Sequence, residues 1–146
     1  MLALIQRVSR AQVDVDSDTV GRIGPGLLAL IAVQPGDGEA QAQRMLERLL
    51  GYRVFADADG RMNRSLAEIG GGLLLVPQFT LAADTSKGMR PSFTSAAAPE
   101  IGRLWFERLV ELAKKTYPRV EIGRFGAHMI VSLANDGPVT FWLEAR

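Results

Sequence analysis

The sequence predicts an α+β fold, with largely antiparallel sheets and two main helices on one side. Three observations carry this reading. Short apolar or alternating segments recur along the chain, and most are bounded by Gly, Pro, Asn or Asp. Only two stretches carry apolar residues at helical spacing. Strands and helices do not follow each other in the regular βαβ order of a parallel sheet.

The elements follow in order. Residues 2–8 read as a first strand, with Leu2, Leu4, Ile5 and Val8 around Gln6 and Arg7. Residues 11–16 alternate cleanly, Val13 and Val15 against Asp14 and Asp16, so one face is buried and one is wet. Ser17-Asp18 marks a turn into a short return strand, Thr19 to Ile23. After Gly24-Pro25-Gly26 comes a continuous apolar run, Leu27 to Val33, which fits a strand covered on both faces. Gln34 to Gly38 breaks the chain. A helix is expected from about Glu39 to Leu50, with Met45, Leu46, Leu49 and Leu50 as its stripe and Gly51 as C-cap. Tyr52 to Phe55 reads as a strand, Asp57 to Gly60 as a turn, and Leu73 to Val76 as an apolar strand after three glycines. Thr80 to Ala98 is polar and contains Gly and Pro, the character of a long surface loop. The second helix runs from about Pro99 to Tyr117, with proline in its first turn and Ile101, Leu104, Trp105, Leu109 and Leu112 buried. Strands follow at about Arg119 to Ile122 and His128 to Ala134. Asn135-Asp136-Gly137 then reads as a hairpin turn into Val139 to Leu143.

The chain has 146 residues, enough for one domain spanning 1–146 with a sizeable core and no staple. It has no cysteine, which excludes thiol nucleophiles, thiolate metal sites and disulfides, and is compatible with a cytoplasmic location. Net charge is only +1, so a nucleic-acid partner would be recognised locally, not by a broad basic face. No secretory leader is expected, because Met1-Leu-Ala-Leu-Ile meets Gln6-Arg7 at once. No apolar run reaches the length of a membrane helix, so no membrane partner is expected.

Most catalytic templates lack parts here. His128 is the single histidine and sits in a strand pattern, so a Ser-His-Asp triad would rest wholly on it. There is no Gly-x-Ser-x-Gly elbow, Walker loop or dinucleotide fingerprint, and no cluster with metal-ligand spacing; neither metal nor cofactor is expected. Two segments stand out. In Pro77-Gln78-Phe79-Thr80-Leu81 a buried strand runs into the long loop, with polar Gln and Thr flanking an aromatic ring; the plain alternative is an ordinary strand end. In Asn135-Asp136-Gly137-Pro138-Val139-Thr140, Gly137 permits close approach to a ligand; the plain alternative is the hairpin turn. Arg7 shares a strand face with Ala3 and Ile5 and needs acceptors there, unless it reaches solvent at a sheet edge. Lys87, Arg90, Lys114 and Lys115 are candidate phosphate contacts, each with solvated surface charge as its alternative.

Four segments together resemble the D-aminoacyl-tRNA deacylases: Leu4-Ile5-Gln6-Arg7-Val8, Gln78 to Thr85, Gly88 to Phe93, and Val131 to Phe141. The likeness runs in order from Met1 to about Leu143. It implies a three-layer β/β/α sandwich and a homodimer with two active sites at the subunit interface. It implies that Gln78, Phe79 and Thr80 line the pocket for the terminal adenosine of aminoacyl-tRNA and its ester. Gly137 and Pro138 would form a cis pair whose carbonyls enter the partner's pocket and exclude L side chains, while glycine still enters. Arg7 would hold that pair in orientation. Pro77 departs from the family, which commonly has serine there; proline removes one N–H and any hydroxyl contact. A minor departure is His128, where an acidic residue is common.

The ester of an aminoacyl-tRNA is already activated, so positioning and oxyanion stabilisation suffice. Backbone N–H groups around Phe79 and Thr80 are expected to support the oxyanion, and the ribose 2′-hydroxyl to help activate water. The Thr80 hydroxyl is the competing candidate. The alternatives are a relaxed deacylase of small L-amino acids, a non-catalytic nucleic-acid-binding protein, and a hydrolase of small esters.

Overall fold

The computed structural model describes all 146 residues. Its elements are β1 (Leu2–Val15), β2 (Asp18–Ile23), β3 (Gly26–Ala32), α1 (Glu39–Gly51), β4 (Arg53–Ala56), β5 (Met62–Ser65), α2 (Leu66–Ile69), β6 (Gly72–Pro77), α3 (Pro99–Thr116), β7 (Val120–Ile122) and β8 (Ile130–Glu144), with a single 3-10 turn at Phe79–Ala82. This is the expected α+β class.

The sheet is mixed, which corrects the largely antiparallel expectation. β1 is antiparallel to β2, β3 and β8, but β3 pairs with β6, and β6 with β7, in parallel. Long connections make these parallel pairs feasible: α1 lies between β3 and β6, and α3 between β6 and β7.

Alternation along the central strands explains how two cores share one sheet. On β6, Leu73 and Leu75 enter the larger core with Leu27, Ala29 and Ile31 of β3 and the apolar faces of α1 and α3. Leu74 and Val76 point the other way, into a smaller core with Leu28, Ala11 and Val13. Leu73, Leu74 and Leu75 have essentially no exposed surface, as the continuous apolar run implied. Each such side chain contributes roughly 1.5–3 kcal/mol by leaving water. On α3, Ile101 and Leu104 face solvent, and Phe106, Leu109 and Val110 are the buried residues; the stripe is set one position further round than the spacing suggested.

β1 is one strand of 14 residues, not the two expected from its pattern. Its inward positions change parity midway: Ala3 and Ile5 belong to the larger core, while Val8, Ala11 and Val13 belong to the smaller. The register against β8 shifts on both sides of Val8. Such an irregularity lets one strand bend and serve both cores. That bend is why the pattern looks interrupted.

The C-terminal half holds a second correction. Asn135-Asp136-Gly137 is not a hairpin turn; the chain keeps its direction along β1 from Ile130 to Glu144. Gln6 to Val8 on β1 spans two residue steps, whereas Thr140 to Asn135 on β8 spans five. The extra residues bulge from the ladder and carry Gly137 and Pro138. Gly51 is not the C-cap of α1: it ends the helix, and the extended Tyr52 caps it by donating its N–H to the Arg48 carbonyl. β5 and the one-turn α2 have no counterpart among the expected elements. α2 is marked by a capping box, in which the Ser65 hydroxyl accepts the Glu68 N–H while the Glu68 carboxylate accepts the Ser65 N–H. These bonds from Ser65 hold the Glu68 carboxyl below the usual carboxylate range.

Candidate active site

A cleft of about 450 Å³ opens at the C-terminal ends of the parallel strands β3 and β6. Ile31 and Val76 form its floor. The first turns of α3 supply one wall through Pro99, Gly102 and Phe106, and the segment from Phe125 to Val131 supplies the other. Most of the lining is apolar and aromatic, which suits a planar group such as a base or an aromatic side chain. Phe125 packs against Gly102: a Cβ there would stand 3.4 Å from its ring, in ordinary contact. Gly102, Phe125 and Met129 are not among the residues the sequence singles out. The available signal is a glycine inside a helical pattern, which costs roughly 0.5–1 kcal/mol relative to alanine.

The structure places Pro77, Gln78 and Phe79 in the lining of this cleft, and Thr80 next to them, exposed in the 3-10 turn. β6 ends there because its pairing runs out on one side. Alternate N–H groups of a parallel strand face opposite neighbours: Gly72 and Gln78 donate to Pro25 and Ile31, while Leu73 donates to Arg119. Pro77 therefore faces the β7 side, where that strand has already ended at Ile122. Its ring lies beside Gly123 instead. Proline thus costs no ladder bond at this position, which explains how it stands where a donor is common.

Beyond Pro77, the Gln78 N–H donates to the Ile31 carbonyl at 2.7 Å, and the chain winds into the 3-10 turn. The first bond of that turn runs from the Leu81 N–H to the Gln78 carbonyl, so the N–H groups of Phe79 and Thr80 lie ahead of it. The Gln78 side-chain amide donates to the Thr80 hydroxyl. Phe79 is half exposed, and its ring is 5.1 Å from that of Phe93, tilted by 54°.

Arg7, Gly137 and Pro138 form a second group. The Gly137-Pro138 peptide is cis. Arg7 is largely buried, with 17% of its side chain exposed. Its Nε donates to the Asp136 carbonyl at 2.9 Å, and its Nη1 to the Val54 carbonyl at 2.7 Å, tying the bulge to β4. The Asp136 carboxylate stands 3.6 Å from Nε. Asn135 braces the other side: its Oδ1 accepts the Val139 N–H at 3.1 Å, and its amide donates to the Thr140 hydroxyl at 2.9 Å. Gly137 has φ +139, and a Cβ there would meet Val139 Cγ2 at 2.7 Å. Only glycine fits.

The two groups do not meet within one chain. Arg7 pairs with Leu27 at the start of β3, whereas Pro77 pairs with Ile31 near its end, roughly 13 Å further along at ~3.3 Å per residue. β1 and β3 also lie between β8 and β6. Gly137 and Pro138 are exposed, on an outer strand. His128 stands elsewhere, in an open polar depression with Gln12, Asp14 and Thr19. The Asp14 carboxyl there is held below its ordinary range by hydrogen bonds from Thr19 and then Gln12.

Fold and cleft define a class: a small α+β domain with an apolar pocket at its strand ends and backbone N–H groups beside it. A family model described as D-Tyr-tRNA(Tyr) deacylase matches residues 4–144, and the chain belongs to that family. It is 69% identical to a D-aminoacyl-tRNA deacylase of Thioalkalivibrio sulfidiphilus, over 99% of this chain and 97% of the relative. Among solved structures it resembles that of a c-Myc DNA Unwinding Element Binding Protein, with TM-score 0.95 and 35% identity, covering 100% of this chain and 99% of that one. A probable eukaryotic D-amino acid tRNA deacylase, at TM-score 0.76 and 20% identity over 98% of each chain, shares the fold.

Proposed function

We propose that this chain hydrolyses the ester between a D-amino acid, or mischarged glycine, and the 3′-terminal adenosine of tRNA, without a metal or other cofactor. The observation that carries this is the apolar cleft lined by Gln78 and Phe79, with the 3-10 turn that holds Thr80 beginning at its edge. The terminal adenine enters the apolar cleft, and the ester rests against the 3-10 turn. The N–H groups of Phe79 and Thr80 then face the oxyanion. The Thr80 hydroxyl has an amide donor beside it and no base, so it is not activated as a nucleophile. Water attacks, assisted by the ribose 2′-hydroxyl. Thr80→Ala is therefore expected to keep kcat within about tenfold of wild type, the size of one hydrogen bond, while a 2′-deoxy terminal adenosine is cleaved far more slowly. A Thr80→Ala enzyme with no turnover would reinstate the nucleophile.

The working form is a homodimer of single-domain chains, each a β/β/α sandwich, acting in the cytoplasm where aminoacyl-tRNA is used. The separation of Gly137 and Pro138 from the cleft of their own chain supports a site shared between subunits, with their carbonyls entering the partner's cleft. There they leave no room for an L side chain. The test is side-by-side deacylation of D-tyrosyl-, L-tyrosyl- and glycyl-tRNA. Cleavage of the D and glycyl esters, with the L ester spared, is the expected result; equal D and L rates would overturn exclusion.

The name of the 35% identical relative favours a second reading, DNA binding without catalysis. The net charge of +1 weighs against broad duplex binding. Salt-sensitive DNA retention in a filter assay, with no deacylation, would select it.

A further inference from the structure

A terminal adenosine in the cleft leaves open what holds the strand that leads to it. Next to the cleft stands a loop closed at its base by two backbone bonds. The Asp84 N–H donates to the Ser92 carbonyl at 2.8 Å, and the Ser92 N–H to the Asp84 carbonyl at 3.0 Å. The Asp84 carboxylate is turned inward on the loop, accepting the Ser86 N–H at 2.9 Å. Gly88, at φ +66, takes the left-handed turn at the tip. Every residue from Asp84 to Thr94 except Asp84 itself lacks a carboxylate, and Lys87 and Arg90 project into solvent with no acidic partner. Where the loop rejoins the domain, Phe93 lies against Phe79 with 42% of its surface exposed. Phe79 lines the cleft, so the pair extends the aromatic wall outward from it.

Two unpaired cations on a braced loop, beside an exposed aromatic pair, match what single-stranded nucleic acid requires. Phosphates need cations, and bases need a flat apolar face on which to stack. We propose that this loop grips the single-stranded nucleotides preceding the terminal adenosine, with Lys87 and Arg90 on their phosphates and Phe93 under a base. This rests on the deacylase reading and extends it to the neighbouring nucleotides. It also reconciles a recognition surface for tRNA with a net charge of only +1, because the grip is confined to one loop.

The test compares two substrates, D-tyrosyl-tRNA and the nucleoside ester D-tyrosyl-adenosine, which lacks the preceding nucleotides. For Lys87→Ala/Arg90→Ala and for Phe93→Ala, the readout is the ratio of kcat/KM on the two. Each variant is expected to lower that ratio about tenfold or more. The double variant should also flatten the dependence of log(kcat/KM) on log[salt] for tRNA, by about 0.7 for each single-strand phosphate no longer neutralised. Lys87→Arg/Arg90→Lys should restore most of both. An unchanged ratio with an unchanged salt slope overturns the proposal. So does an equal fall on both substrates, which would mean that the loop only supports Phe79. Wild-type protein inactive on both substrates would instead overturn the deacylase reading on which it rests.

Discussion

Gly137→Ala is expected to lower kcat/KM on D-aminoacyl-tRNA by roughly 100-fold or more, the scale expected when a positioning group moves by about 1 Å. The cause is local. At φ +139 an L side chain is strained, and its Cβ would stand 2.7 Å from Val139 Cγ2, 2.9 Å from the Val139 nitrogen and 3.2 Å from Arg7 Nη2. The bulge has to rearrange, and Arg7 loses its hold on the Asp136 carbonyl. The residue itself is exposed, and of its close neighbours only Val139 packs against the larger core, so the fold should persist. Deacylation kinetics beside circular dichroism will separate the two effects. Near-wild-type kinetics from a folded Gly137→Ala protein would remove Gly137 from the site.

Asp37→Ala is expected to cost about 3–5 kcal/mol of stability, the usual penalty for leaving one member of a buried ion pair alone. The α-ammonium of Met1, whose side chain is fully buried, lies 2.7 Å from the carboxylate of Asp37, whose side chain is 7% exposed. The same ammonium donates to the Ala145 carbonyl at 2.9 Å, and the Asp37 carboxylate also accepts the Gln34 N–H at 2.7 Å. This one ion pair therefore ties the start of β1, the segment at Ala145 and the turn before α1. Against a total stability of roughly 5–15 kcal/mol this is a large share. Urea denaturation should show a lower midpoint with an unchanged slope, and Asp37→Asn, which keeps an acceptor but not the charge, should fall between. A midpoint unmoved by Asp37→Ala would show that solvent replaces the carboxylate.

The elements legible in the sequence are those whose pattern is local. The stripe Met45, Leu46 and Leu49 marks α1, Pro99 opens α3, and the unbroken run after Gly26 marks a strand covered on both faces. Asn135 to Val139 differs from its expected hairpin because Asp-Gly has the same composition in a hairpin and in a bulge. What separates them is whether β1 continues alongside, a pairing more than a hundred residues away in sequence. The apparent break in β1 has a similar cause: a parity change between Val8 and Ala11 looks like the end of a strand when only its neighbours in sequence are considered.

The candidate site divides in the same way. The Gln78-Phe79-Thr80 segment stands out because polar residues at a buried strand's end are visible in the sequence, and the likeness to the deacylases extends to Arg7 and Gly137. By itself the sequence determined the α+β class, the main strands and helices, the lack of thiol chemistry and the residues worth testing, because each depends on composition, short-range periodicity or short motifs. The tertiary structure alone decided that β6 runs parallel to β3 and β7, and that Phe125, Gly102 and Met129 close a cleft. It alone decided that Phe93 meets Phe79, and that Arg7 holds the bulge at a distance from its own chain's cleft. Those relations come from elements far apart in the chain packing on shared faces, and no local pattern encodes which distant face a side chain will meet.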